Sequence, residues 1–115
     1  MNLINHFIRQ MRFSLKTFGP GSRQKGVCDH IGKELTEIAE GNNDPAEWVD
    51  VWLLATDGFW RSLREQFLEL TDEEIAELMC EMIDGKQGKN ERRKWPDWRT
   101  MSGDRAIEHV KGIED

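Results

Sequence analysis

Cysteine, positive charge and long apolar runs are all in short supply in this 115-residue sequence, and each shortage removes a class of protein. The two cysteines, Cys28 and Cys80, stand far apart in helical patterns, with no Cys-x-x-Cys and no histidine at ligand spacing. Zinc ribbons and disulfide scaffolds are thereby disfavoured, and two reduced, buried thiols of a cytosolic protein are expected. No stretch approaches the ~18 to 20 apolar residues of a membrane span. The start, Met1-Asn2-Leu3-Ile4-Asn5-His6, lacks the basic flank and apolar stretch of a secretion signal, so a cytoplasmic location is expected. Sixteen Lys and Arg against 22 Asp and Glu leave a net charge of −6. That balance argues against a general affinity for nucleic acid or anionic membrane, so any phosphate-bearing ligand must be met locally.

Two catalytic layouts are missing as well. Gly21-Ser22-Arg23-Gln24-Lys25-Gly26 begins like a phosphate-binding loop, but Val27-Cys28 follows where Lys-Ser/Thr is required and no strand precedes it. His30 and His109 have no Ser or Cys partner at interpretable spacing, and His30 reads as a hydrogen-bonded structural residue.

What is present is helical periodicity. Leu3, Ile4, Phe7, Ile8, Met11 and Leu15 form one stripe of a helix over about 3–15, stopped by Thr17-Phe18-Gly19-Pro20-Gly21. A second helix is expected from Val27 to Glu40, with Ile31, Leu35 and Ile38 on its apolar face and Gly41 as its stop. Asp44 as N-cap and Pro45 at the first position start a third, through Trp48, Val51, Trp52, Leu54 and Ala55. Gly58 marks either a bend or a close approach by another backbone. Thr71-Asp72-Glu73-Glu74 is a capping box opening a fourth helix that ends at Gly85, and a short helix is expected at Asp104 to Val110. With no alternating strand pattern and no repeat, the fold class is all-α, a bundle of four to five helices forming a single domain over 1–115.

The informative constellation is acidic. Glu34 with Glu37, and Glu47 with Asp50, are spaced i, i+3 on separate predicted helices, and Asp57 lies two turns beyond Asp50. A short turn joins the two helices, so they should pack as an antiparallel hairpin and bring these carboxylates together. Crowded carboxylates require protons or cations, and hard divalent ions take such oxygen-only sites, which points to Mg²⁺ or Mn²⁺. The same spacing also arises on solvated helix faces in a chain with 22 acids. Downstream, Lys86, Asn90 and Arg93 would form one cationic stripe suited to phosphates if the segment is helical, and a solvated basic face if it is not bound.

The doublets Glu34-Leu35-Thr36-Glu37 and Glu47-Trp48-Val49-Asp50 match the Glu-x-x-Glu and Glu-x-x-Asp hallmark of the all-α, MazG-like nucleoside triphosphate pyrophosphohydrolases. Phe7-Ile8-Arg9-Gln10, Thr17-Phe18-Gly19-Pro20-Gly21, Asp29-His30-Ile31, Asp57-Gly58-Phe59-Trp60-Arg61, Asn90 through Trp98 and Ala106-Ile107-Glu108-His109-Val110 further resemble its phage dATP/dGTP diphosphohydrolase subgroup, of the MazZ type. The resemblance implies that Glu34, Glu37, Glu47 and Asp50 bind Mg²⁺ or Mn²⁺, with Asp57 nearby. It gives Glu34 and Glu37 catalytic roles, Glu37 orienting or deprotonating the attacking water, and Lys86, Asn90 and Arg93 the phosphates. Gln10, Phe18 and Arg23 are its candidates for the base. The implied reaction converts a purine deoxynucleoside triphosphate, mainly dGTP, to its monophosphate and pyrophosphate, supplying dGMP for phage 2-aminoadenine nucleotide synthesis. A homodimer or tetramer is implied too, and five Trp leave apolar area that one small bundle does not hide. Two alternatives stand beside this: an enzyme of the same fold acting on dUTP or dCTP, and a non-enzymatic helical module using the basic 86–99 segment with Trp95 and Trp98.

Overall fold

Asn2 opens the first helix by accepting a hydrogen bond from the Asn5 amide at 3.0 Å, and the apolar stripe behind it carries the chain through four turns. In the computed structural model, which describes residues 1–112, the elements are α1 (Leu3–Phe18), α2 (Gln24–Glu40), α3 (Pro45–Gln66), α4 (Asp72–Arg92) and a 3₁₀ turn at Trp98–Thr100. No strand occurs among the described residues, so the protein is all-α. The chain divides into two compact units, Met1–Cys80 and Glu81–Asp115.

The first unit has its core where α1, α3 and the start of α4 meet: Phe7, Met11, Trp60, Leu63, Ile75, Ala76 and Met79 are all buried. Each large apolar side chain placed there contributes about 1.5–3 kcal/mol through removal from water. Leu3, Ile4 and Ile8 pack around it, whereas Leu15, the last member of the expected stripe, is half exposed. The capping box forms as the sequence predicts. Thr71 Oγ1 accepts from the Glu74 amide at 3.1 Å, while Glu74 Oε1 accepts from the Thr71 amide at 2.9 Å. The Thr71 amide first, and then the Thr71 side chain, hold the Glu74 carboxyl below its ordinary value. Arg64 ties the preceding loop down by donating to the Leu70 carbonyl and pairing with Asp72 at 2.9 Å.

By contrast, α2 contributes only Val27 and Ile38 to the interior. It packs against α3 with these two buried and Ile31 and Glu34 half-buried, and leaves its other residues exposed. The turn between them is short: Asn43 takes a left-handed φ of 56°, accepts from the Trp48 indole at 2.7 Å, and Asp44 caps the Ala46 amide at 2.9 Å.

Several boundaries differ from the sequence reading. α2 begins at Gln24 rather than Val27, because Arg23 turns the chain with φ 47°. α3 continues past Gly58 without a break to Gln66, and there a side chain rather than a backbone approaches. α4 does not stop at Gly85 but runs to Arg92, since a helical glycine costs only about 1 kcal/mol. Nor are the thiols both buried: Cys28, next to the anchor Val27, faces outward and is exposed, and Cys80 is half-buried, with burial pushing its thiol up. Leu35, expected on the apolar face, is 44% exposed.

In the second unit the expected helix at Asp104 to Val110 does not form. Seven residues are too few to nucleate a helix unaided, and their groups are engaged elsewhere. Ser102 Oγ accepts from the Asp104 amide at 3.1 Å, the Val110 amide donates to the Lys94 carbonyl at 2.7 Å, and His109 meets the Trp95 ring edge-on.

Candidate active site

The four carboxylates of the two doublets lie on α2 and α3, which pack against each other. Glu34 is the most enclosed, with its side chain 17% exposed and Oε1 3.7 Å from His30 Nε2. Its carboxyl is raised above its ordinary value, first by burial and then by the charges of Glu37, Asp50 and Glu47, with His30 opposing. Four acids from two helices therefore share one electrostatic neighbourhood. No cation balances them among the described residues beyond that His30 contact. Among those residues no three acids, histidines or cysteines are drawn close enough to enclose an ion. The donors are of the type that Mg²⁺ and Mn²⁺ prefer, oxygen only and mutually repelling.

Asp57 stands apart from this group and is not among the charges that move Glu34. It is buried, and its carboxylate is taken up by its own helix and by α1. Oδ1 accepts from the Ser14 hydroxyl and from the Trp60 indole at 2.8 Å, and Oδ2 pairs with Arg61 Nε at 3.0 Å.

The three candidates for the base, by contrast, come together. Gln10, Phe18 and Arg23 line one cavity of about 160 Å³ with Phe13, Val27 and His30. Phe18 meets the edge of Phe13, and the Arg23 guanidinium lies 5.3 Å from the Phe18 ring centre. Gln10 is fixed in place: its amide donates to the Leu53 carbonyl at 2.6 Å and the Thr56 hydroxyl at 2.8 Å, and its Oε1 lies 3.2 Å from His6 Nε2. It forms a rigid wall, whereas the Arg23 head keeps its donors open. His30 belongs both to the cavity lining and to the acidic group through Glu34, so cavity and carboxylates adjoin.

Lys86 and Asn90 share one face of α4, and Arg93 follows its last turn, with its guanidinium donating to the Asn90 side chain at 3.1 Å. Gly88 stays helical between them. All three belong to the second unit.

Arg61, given no role by the sequence beyond its place in the Asp57-Gly58-Phe59-Trp60-Arg61 match, is the most deeply buried charge among the described residues, 1% exposed. The signal was available, because an Asp and an Arg four residues apart share a helix face.

No curated protein sequence and no solved structure matches the chain. A family description does, over residues 7–113, nearly the full length. The helical hairpin that carries the two acidic doublets thus belongs to a chain of the dATP/dGTP pyrophosphohydrolase family, and the protein is a nucleoside triphosphate pyrophosphohydrolase.

Proposed function

We propose that this protein hydrolyses dGTP to dGMP and pyrophosphate in preference to other nucleotides, using Mg²⁺ or Mn²⁺ held by Glu34, Glu37, Glu47 and Asp50. The observation that carries the reading is the continuity of the aromatic cavity with the acidic group through His30, 3.7 Å from Glu34. Such an ion would offset phosphate charge and make water a better nucleophile. Of these four, Glu37, exposed and without a partner among the described residues, orients or deprotonates the attacking water rather than ligating the ion directly. Water oxygen bonds to the α-phosphorus as the bond to the bridging oxygen breaks, and pyrophosphate departs.

Guanine fits the cavity better than adenine on chemical grounds. A guanidinium such as that of Arg23 pairs two donors with O6 and N7 of guanine, whereas adenine presents an amino group there. Phe18 supplies a face for the ring, and a pyrimidine would leave that surface partly uncovered. Lys86, Asn90 and Arg93 are assigned to phosphate in this reading. Assembly as a homodimer or tetramer would cover the exposed Leu35, Trp48, Val49 and Trp52. The cellular role that goes with the resemblance is supply of dGMP for 2-aminoadenine nucleotide synthesis in a phage-infected cytoplasm.

The test is a panel of nucleoside triphosphates with Mg²⁺ or Mn²⁺, the products separated by chromatography. dGTP should give dGMP and pyrophosphate with the highest kcat/KM, dATP or GTP should follow, and pyrimidines should be poor. A highest value for dUTP or dCTP would overturn the purine assignment, and release of orthophosphate would overturn attack at the α-phosphorus.

A further inference from the structure

The turn between α1 and α2 has little of its own to hold it. Gly19 and Gly21 take left-handed φ angles of 84° and 97°, and a side chain added at either would meet nothing within 4 Å. Behind the turn lies a second cavity, about 290 Å³, lined by Met11, Leu15, Pro20, Trp60 and Leu68. Packing therefore does not fix the turn, yet the two residues flanking it, Phe18 and Arg23, form one side of the cavity assigned to the base.

The Gly19 amide donates to the Leu15 carbonyl and the Ser22 hydroxyl caps the Gln24 amide at its two ends, and between them the turn is held by one guanidinium. Arg61 Nη1 donates to the carbonyls of Gly19 at 2.8 Å and Gly21 at 2.9 Å. Its Nη2 reaches the Ser14 hydroxyl at 2.9 Å and the Ser14 carbonyl at 3.4 Å, and its Nε pairs with Asp57 at 3.0 Å. Five contacts match the five N–H groups that an arginine carries. Asp57 in turn is held by Ser14 and Trp60, so each buried charge is fully partnered. A buried ion pair is weak evidence for stability, since apolar residues of similar volume often serve as well. What an apolar pair could not do is hold two turn carbonyls on one point.

We propose that Asp57 and Arg61 are a positioning pair that sets the base selectivity of this enzyme, by clamping the 19–21 turn so that Phe18 and Arg23 close one side of the base cavity. The inference rests on the reading of that cavity given above. Neither residue touches the reacting atoms. Asp57 also borders the base cavity beside Ser14, but its carboxylate is taken up by Ser14, Trp60 and Arg61, so the effect of the pair passes through the turn and falls on nucleotide affinity and choice rather than on bond breaking.

Arg61→Lys keeps the charge but has no planar fork with which to hold both carbonyls. Its kcat/KM for dGTP relative to dCTP should fall at least ~10-fold, mainly through a higher KM for dGTP, because a displaced wall no longer fits the base. The pH profile of kcat should not move. Partial unfolding lowers the rate for every nucleotide equally and leaves the ratio intact, so the ratio separates positioning from loss of structure. Should Arg61→Lys give no cooperative melt, Gly21→Ala supplies the same reading, because it strains the turn at φ 97° and so moves the Gly21 carbonyl that Arg61 holds, while leaving the Arg61, Asp57 and Ser14 side chains unchanged. A folded Arg61→Lys or Gly21→Ala with the wild-type ratio overturns the inference alone. A wild type that does not prefer dGTP to dCTP overturns the cavity reading, and the inference with it.

Discussion

Val27 Cγ1 lies 3.4 Å from where a β-carbon on Gly58 would stand, and Val27 is one of only two side chains by which α2 reaches the interior. That contact sets the register of the hairpin. Counting from it toward the turn, seven residues along α2 and eight back along α3 bring Glu34 level with Asp50, and a further turn brings Glu37 level with Glu47.

Gly58→Ala should therefore be tolerated: 3.4 Å is ordinary contact, and alanine is favoured in a helix by up to about 1 kcal/mol. Gly58→Leu should push α2 away, lowering stability by about 1–3 kcal/mol and depressing activity in the folded fraction. Thermal melts and pyrophosphate release measure the two effects.

Glu37→Gln should keep the melting temperature yet lower kcat at least ~100-fold, since it preserves volume and removes the charge that receives the proton. Glu69→Gln, an exposed position in the turn between α3 and α4, should change kcat little. Equal activity of Glu37→Gln and wild type would return the acids to an ordinary solvated face.

The raised Glu34 carboxyl gives a stability test in metal-free protein. A proton is held more firmly in the folded state than in the unfolded chain, so this group's stabilising contribution is full in acid and lost as pH rises through its folded pKa, above 4.5. Glu34→Gln should accordingly melt higher than wild type at neutral pH in EDTA, the gap closing as the pH falls below 4.5. Millimolar Mn²⁺ should raise the wild-type midpoint by binding the folded state alone and should raise that of the variant less. A wild-type midpoint unmoved by Mn²⁺ would remove the four-acid metal site.

Arg23→Ala should lower kcat/KM for dGTP about 10- to 100-fold and for dATP much less, as expected when a donor to O6 and N7 is removed. Steady-state kinetics on both substrates measure it. Equal losses would show that Arg23 acts on the sugar or phosphates.

The helices were legible because their signals are local. Asp44-Pro45 and Thr71 with Glu74 cap within four residues, and these starts stand where the sequence puts them. Ends were less legible: Gly85 looks like a stop, but no proline follows before Pro96 and the helix continues to Arg92. Both carboxylate doublets could be read from spacing, and their shared neighbourhood from the short turn between their helices. The fate of Asp57 could not. Its spacing from Asp50 made it look like a fifth acid, whereas its partners Ser14 and Arg61 come from a different helix and from the next turn of its own. Only tertiary packing decides between those roles.

The distances along the chain that Arg61 bridges also order the folding. Its bonds to Gly19 and Ser14 close loops of 42 and 47 residues, while α2 and α3 are joined by a turn of a few residues. Short loops close at smaller entropic cost, so the expected order is the hairpin bearing the carboxylates first and the Arg61 guanidinium last, which folding and unfolding rates of Arg61→Lys would test. Contacts made after the barrier govern how fast a protein comes apart rather than how fast it assembles. On that order, the proposed control of nucleotide choice and the rate of unfolding would rest on the same side chain.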